Sequence, residues 1–249
     1  MTPFLPLLKR DLLDFKRNIF SIFTFWILTP VFLHLFLSIP LSNIISIDIR
    51  YLSWASPGVW IATSCMAAFL QSANRMRKLQ FTYGQMDAIL KTPISNLDLL
   101  IATVVRGFLY GTSQFLISII ITSILNNEYY AFYILLIIII QMLFLILHFA
   151  VLGTLIGGLV ENNNLYYNMI CFLFLSLTIG LGNFIPLSYY PESFSSIITF
   201  LPTVFSFENI RSIILHNQFD WLSFFLTLFL TFILSIFNLI ISYKIFRKI

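Results

Sequence analysis

Residues 131–157 read AFYILLIIIIQMLFLILHFAVLGTLIG and contain no Asp, Glu, Lys or Arg. A helix needs about 20 apolar residues to cross the ~30 Å hydrocarbon core of a bilayer, so this stretch predicts a transmembrane helix. The whole chain of 249 residues has a similar character, because 59% of its residues are hydrophobic and only 10% are charged. A soluble domain has about 25% charged residues. The composition therefore excludes a water-soluble globular protein, and its 28 Phe and 11 Tyr exclude a disordered chain.

Apolar runs of similar length recur on both sides of this stretch, each bounded by charged or polar residues. We therefore predict an all-α integral membrane protein, a single domain over residues 1–249, with six transmembrane helices. Ser56 and Pro57 suit the start of the second helix, and Ser95 and Asp98 have the spacing of a capping box before the third. The expected spans are 19–39, 57–74, 99–125, 131–157, 165–185 and 221–243.

Lysine and arginine residues are concentrated on one side of the expected membrane. With six helices both chain ends lie on the same side, which holds twelve of the 14 Lys and Arg residues and leaves Arg50 and Arg211 on the other. Because basic loops resist translocation, we expect both termini in the cytoplasm and the chain in the cytoplasmic (inner) membrane. The net charge of +4 thus reflects topology. Since the basic residues flank apolar runs instead of forming one solvated face, we expect no nucleic-acid partner.

Two segments outside the spans have a recognisable pattern. Residues 4–17 place apolar and charged side chains at helical spacing, which predicts either an interfacial amphipathic helix or a basic anchor. Residues 187–215 contain apolar pieces too short to cross the membrane, which predicts a re-entrant hairpin in the outer leaflet. Within this hairpin Glu208 and Arg211 are spaced i,i+3. They could pair either as inert neighbours or as a neutralised charge pair at an exit.

The longest polar stretch on the cytoplasmic side lies between the second and third spans. Asp87 and Lys91 are an i,i+4 pair there, and Pro93 disfavours helical geometry in the residue before it. A short amphipathic helix is therefore expected at about 79–93. The pattern leaves open whether this helix docks a partner or packs beneath the bundle.

No sequence motif points to catalysis. The chain has no G-x-x-x-x-G-K-[S/T] loop, no G-x-S-x-G, no H-E-x-x-H and no Cys/His cluster. Cys65 and Cys171 lie far apart in apolar runs, as structural thiols do. We expect no catalytic residue, no metal site and no cofactor bound by this chain. Gly153 and Gly157 form a G-x-x-x-G pattern that lets another helix approach closely, either within the subunit or at a dimer seam.

Several of these features, in their order along residues 50–215, resemble the membrane subunits of ABC-2 type transporters, which export polysaccharides, lipo-oligosaccharides and drugs. After Pro57-Gly58, the stretch from Gly84 to Pro93 resembles the family's glycine-led segment that ends in Glu-x-[Leu/Met]-Leu-x-Thr-Pro, with Asp87 where glutamate is usual. Residues 157–164 resemble the family's turn between the fourth and fifth spans. Leu201-Pro202 with Glu208-Asn209-Ile210-Arg211 resembles its exterior segment.

The resemblance implies a six-span permease subunit that dimerises with an identical or paralogous protomer and binds two copies of a separate ABC ATPase. That partner would carry ATP and Mg, and this chain would move an amphiphilic, glycan- or lipid-linked or drug-like substrate. The segment 79–93 would be the coupling helix, 4–17 an interfacial helix beside it, and 187–215 the exit hairpin. The branch most similar exports lipo-oligosaccharides and antibiotics. The ATPase-coupling residues implied are Gly84, Met86, Asp87, Ile89, Leu90, Thr92 and Pro93.

Two other classes of function fit the same composition. An integral-membrane scaffold or assembly factor needs only the apolar helices. A membrane-embedded lipid or glycan transferase would need acidic residues that converge near one membrane face, whereas the ten acidic residues here are scattered over both sides. The coupling-like stretch favours the transporter subunit over both.

Overall fold

The computed structural model describes residues 4–47, 49–81, 94–216 and 218–247, and the regular structure within these ranges is entirely helical. The helices, numbered in chain order, are α1 (Phe4–Arg17), α2 (Ile19–Ser42), α3 (Tyr51–Phe81), α4 (Asn96–Asn126), α5 (Phe132–Leu159), α6 (Asn163–Leu175), α7 (Glu192–Ile198), α8 (Pro202–His216) and α9 (Trp221–Arg247). A π-helical turn interrupts α2 at His34–Ser38, and another, Ser176–Gly180, continues α6.

Four of these helices are long and apolar enough to cross a membrane, namely α2, α4, α5 and α9. The pair α7 and α8 is bent by 90° and could add a fifth, either as a broken span or as a re-entrant loop. The prediction of an all-helical chain with several helices able to span a membrane is therefore confirmed for the described residues. The helices expected as the second and fifth spans exist as α3 and α6, but α3 is not apolar enough and α6 has only 13 residues, so the count of six stays a prediction.

The low hydropathy of α3 follows from its place at the centre of the bundle. Every residue from 54 to 69 is buried, and the helix packs along both α4 and α5. Small residues dominate this stretch, including Ala55, Gly58, Ala62 and Ala68. Small side chains let neighbouring helices approach closely, and a helix enclosed by other helices needs no apolar surface for lipid. Its sequence therefore carries a weaker membrane signal than that of its neighbours.

The start of α3 corrects the expectation that Ser56 caps this helix. The helix begins at Tyr51, so Ser56 and Pro57 lie inside it, and the Ser56 hydroxyl donates to the Leu52 carbonyl at 2.8 Å. The reason is tertiary: the Tyr51 hydroxyl donates to the Phe184 carbonyl at 2.5 Å, and Trp54 packs edge-on against Phe207. These contacts hold the first turns of the helix. The capping box before α4 is confirmed, because the Asp98 amide donates to the Ser95 hydroxyl at 3.1 Å.

Glycines on α4 and α5 make the close packing around α3 possible. A Cβ at Gly107 would lie 2.7 Å from the Ala68 carbonyl oxygen, and one at Gly111 would lie 2.6 Å from a methyl of Ile146. A Cβ at Gly153 or Gly157 would overlap backbone atoms of α3, at Phe69 and Ala73. The G-x-x-x-G pair therefore lies against α3 within the chain.

Candidate functional site

The seven residues expected to couple this chain to an ATPase, from Gly84 to Pro93, lie outside the described residues. The helices on either side of them are described: α3 ends at Phe81, and α4 begins at Asn96. The residues that border this segment, at the C-terminal end of α3 and the N-terminal end of α4, are therefore described first, followed by those at the opposite end of the bundle.

A buried charge cluster joins α1 to both of these helices. The Asp11 side chain is 8% exposed, and its Oδ1 accepts from Arg75 on α3 at 2.9 Å and from Arg106 on α4 at 3.1 Å. Asp14 lies 3.8 Å from Arg106 and is half exposed. Burial raises the pKa of Asp11 above its ordinary value, although the positive charge of Arg106 opposes this shift. The amphipathic helix expected at 4–17 thus exists as α1, and one carboxylate ties it to the helices that border residues 82–93.

A second arginine at this end holds the turn between α5 and α6. The Arg77 guanidinium donates to the carbonyls of Val160 and Glu161, the latter at 2.7 Å, and to the side-chain oxygen of Asn163. The same guanidinium lies 4.5 Å from the centre of the Tyr166 ring. Such cation–π contacts are attractive. Arg75 and Arg77, two residues apart near the C-terminal end of α3, therefore connect this end to α1, to α4 through the shared Asp11, and to α5 and α6.

At the opposite end Glu208 and Arg211 form the ion pair that their spacing suggests, 3.0 Å apart. The two partners differ in exposure, because the side chain of Arg211 is 5% exposed and that of Glu208 is 55% exposed. Arg211 also donates to the carbonyls of Trp54 at 3.1 Å, Gly182 at 2.9 Å and Asn183 at 3.2 Å. Its guanidinium thereby links the start of α3, the loop after α6 and α8.

Two aromatic rings enclose this guanidinium. Its central carbon lies 3.3 Å from the ring centre of Trp54 and 3.2 Å from that of Phe207. Below it, a Cβ at Gly58 would lie 2.5 Å from the Asn183 carbonyl oxygen, so only glycine lets the loop after α6 reach α3 here. The Pro57-Gly58 pair singled out in the sequence therefore lies beneath the Glu208–Arg211 site.

A ladder of uncharged polar side chains runs along the buried face of α4. It was missed in the sequence, although the i,i+4 spacing of Gln114, Ser118, Thr122 and Asn126 is a signal for it. These four residues are buried, and their hydrogen bonds cross to α2 and α3. Their partners are Trp26 O and Thr29 Oγ1, both 3.1 Å from Gln114 Nε2; Thr63, 2.8 Å from Ser118; Trp60 Nε1, 2.7 Å from Thr122; and Ser56, 2.8 Å from Asn126.

A similar polar seam lines the buried face of α9, where it meets α5. In the described part of the chain it includes Thr227, Thr231, Ser235 and Asn238. His148 of α5 lies 3.4 Å from the Ser235 hydroxyl. Polar side chains within membrane helices face neighbouring helices, because lipid offers them no partner. The two seams therefore identify which faces of α4 and α9 are interior.

Two cavities follow the face formed by α2 and α3. One, of about 350 Å³, has apolar walls that include Phe32, Met66 and Phe174. The other, of about 270 Å³, lies nearer the C-terminal end of α3 and includes the amides Gln71 and Asn74. Phe25 and Leu70 belong to both linings, so the two cavities are adjacent along the helices and together line a groove on the face of α2 and α3. An elongated groove with amides at one end and apolar walls beyond matches an amphiphile in shape and polarity.

Among the described residues no group of three or more His, Cys, Asp or Glu side chains could hold a metal ion. No protein-family profile matches the chain, and no curated protein is similar to it. The functional interpretation therefore depends on the arrangement of the helices and on the residues at their two ends.

Proposed function

We propose that this chain is the membrane-spanning subunit of an ATP-driven ABC exporter. It would lie in the cytoplasmic membrane as one of two permease protomers, with two copies of a separate ATPase on the cytoplasmic side. ATP and Mg would be bound by the ATPase, and the chain itself would bind neither. The substrate class is an amphiphile, either glycan- or lipid-linked or drug-like.

The observation that carries this proposal is the pair of central helices on either side of residues 82–93. α3 and α4 are each 31 residues long, or about 46 Å at 1.5 Å per residue, against ~30 Å of hydrocarbon. Both would extend beyond the bilayer, and they pack along each other. A displacement of the segment between them would therefore move the centre of the bundle directly. The Asp11 pairs with Arg75 and Arg106 carry the interfacial helix along with it.

The proposal includes six spans, with α3 as the second and α6 plus its π-helical turn as the fifth. Burial among other helices accounts for the modest hydropathy of α3, as described above. The residues 163–180 cover about 27 Å at 1.5 Å per residue, and their exposed side chains include Phe172, Leu175 and Ile179. The bent pair α7 and α8 would then re-enter the outer leaflet without crossing it, and both termini would be cytoplasmic.

The transport step requires two conformations that nucleotide stabilises to different degrees. Binding of ATP would close the two ATPase subunits, and the segment 79–93 seated on each would tilt α3 and α4. The groove along α2 and α3 would hold the substrate, and the second protomer would cover its open side. At the outer end Arg211 would keep the re-entrant helices attached to α3 while the bundle moves.

A site-specific cross-link tests the coupling assignment. A photo-reactive residue at Leu90 should cross-link to an ATP-binding protein in native membranes. The same residue at Ile124, which is 69% exposed at the far end of α4, serves as the matched control and should give no such product. If Leu90 captures no nucleotide-binding protein, the coupling role is wrong and the scaffold or transferase functions come forward.

A further inference from the structure

A groove of about 300 Å³ lies between α1, α2 and α4, and it shares Trp26 and Tyr110 with the smaller of the two cavities described above. Its walls are apolar and aromatic. Phe15, Trp26 and Tyr110 contact one another there, with ring centres 5.6–5.9 Å apart. Leu12 and Leu109 form its edges and are 62% and 51% exposed. Such a lining excludes a polar solute and suits a hydrocarbon chain.

One end of the groove is lined by Arg106 together with its ion-pair partner Asp11. Arg106 lines it and uses Nη1 to bind Asp11, yet its Nε is buried and has no hydrogen-bond partner among the described residues. Nε and Nη2 of Arg10 are also buried without a hydrogen-bond partner among the described residues. Arg10 lies close enough to Asp11 for its positive charge to act against the rise in the Asp11 pKa. Buried guanidinium N–H groups without acceptors are unfavourable. An anionic oxygen in the groove would give the Nε–H of Arg106 an acceptor.

The exposed face of α1 fits the surface of a membrane. Lys9, Leu12, Leu13 and Lys16 follow helical spacing on one face and are all exposed. Leucines on such a face enter the acyl region, while lysine side chains extend to the phosphates. Basic residues near the cytoplasmic leaflet attract anionic lipids, each by about 1 kcal/mol. Lys9, Arg10, Lys16 and Arg17 outnumber Asp11 and Asp14 on this helix.

We propose that this groove binds one anionic phospholipid of the inner leaflet. An acyl chain lies against Phe15, Trp26 and Tyr110, and the phosphate lies at the Arg106 end with Lys9 and Lys16 at the mouth. The lipid bridges α1 and α4 beside the Asp11 ion pairs and stabilises the attachment of α1. The apolar walls favour a phospholipid over a free phosphate, and the excess of positive charge favours an anionic headgroup over a zwitterionic one. This inference does not depend on the proposed transport function.

Native mass spectrometry of the purified full-length protein tests it. Titration with phosphatidylglycerol should give one tightly retained lipid, whereas phosphatidylcholine should be retained weakly. Ser113→Trp fills the groove and should abolish the tight binding. Ile120→Trp, on the exposed side of the same helix, should leave it unchanged.

A second pair of variants covers the case in which Ser113→Trp does not fold. Lys9→Gln with Lys16→Gln should weaken phosphatidylglycerol binding about 30-fold, since two basic residues are removed, and Lys244→Gln should not. Equal retention of both lipids, or unchanged binding by both groove and lysine variants, would overturn the proposal. Competition by glycerol phosphate as strong as by the lipid would instead indicate a site for free phosphate and would also overturn it.

Discussion

The guanidinium of Arg211 is almost completely shielded from water, whereas its partner Glu208 is half exposed. Three backbone carbonyls and two aromatic rings surround the arginine in addition to the carboxylate. The ion pair is therefore one of several contacts that the Arg211 guanidinium makes. Most of the stabilisation of this site depends on Arg211 and less on Glu208. This favours a structural role for the pair in holding α8 to α3, with the carboxylate available at the surface.

Substitution of the two partners should have unequal effects. Arg211→Met leaves the carbonyls of Trp54, Gly182 and Asn183 without a donor, and we expect it to lower the free energy of unfolding by about 3 kcal/mol or more. Glu208→Gln keeps an acceptor oxygen at a half-exposed position and should cost about 1 kcal/mol. Denaturant unfolding in mixed micelles measures both. Equal losses would contradict this account of the site.

Two adjacent glycines on α5 offer a matched test of close packing. Gly157→Ala places a methyl group against the backbone of Ala73 on α3, and overpacking of this kind costs about 1–3 kcal/mol. Gly158→Ala meets only the flexible ends of Gln80 and Met76, at 3.2 Å and 3.4 Å, which can shift. Thermal unfolding should therefore separate the two variants. Similar stability of both would mean that the contact between α3 and α5 is looser than described.

At the scale of elements, the attachment of α1 depends on one buried carboxylate. We expect Asp11→Asn to weaken both arginine contacts and to release α1 from the bundle, because Arg75 and Arg106 lose their shared partner. Asp14→Asn, at a half-exposed position 3.8 Å from Arg106, should have little effect.

Hydrogen exchange over residues 4–17 measures the release of α1. Exchange in Asp11→Asn should rise at least tenfold above that of the native protein and of Asp14→Asn. Equal protection in all three would show that apolar contacts such as Leu7 hold α1 without the ion pairs.

The elements that local sequence determines were the ones predicted correctly. The capping box of Ser95 and Asp98 needs only neighbouring residues, and the apolar run of α5 needs only its composition. The start of α3 could not be predicted, because Tyr51 and Trp54 are held by Phe184 and Phe207, more than 130 residues away in the chain. The convergence of Asp11, Arg75 and Arg106 likewise depends on how α1, α3 and α4 pack. The polar ladder of α4 was visible as an i,i+4 spacing from Gln114 to Asn126.

For the whole molecule, the role of the bent pair α7 and α8 decides the topology. If the pair re-enters the outer leaflet, a membrane-impermeant maleimide added from outside should label the cysteines introduced by Asn127→Cys and Gln218→Cys. Asn162→Cys is then labelled only after permeabilisation. Cys171→Ser removes the exposed native thiol, and Cys65 is buried. Labelling of Gln218→Cys only after permeabilisation would mean that the pair crosses the membrane.

The central claim is that this chain works with a separate ATPase on its cytoplasmic side. The most direct test is affinity purification from native membranes in mild detergent, followed by identification of the proteins that co-purify and measurement of ATP hydrolysis by the complex. We predict recovery of an ABC ATPase in equal amount to this chain, with hydrolysis that Asp87→Lys or Leu90→Asp abolishes through loss of the partner. Recovery of the chain without any nucleotide-binding protein, under several mild conditions, would contradict the account.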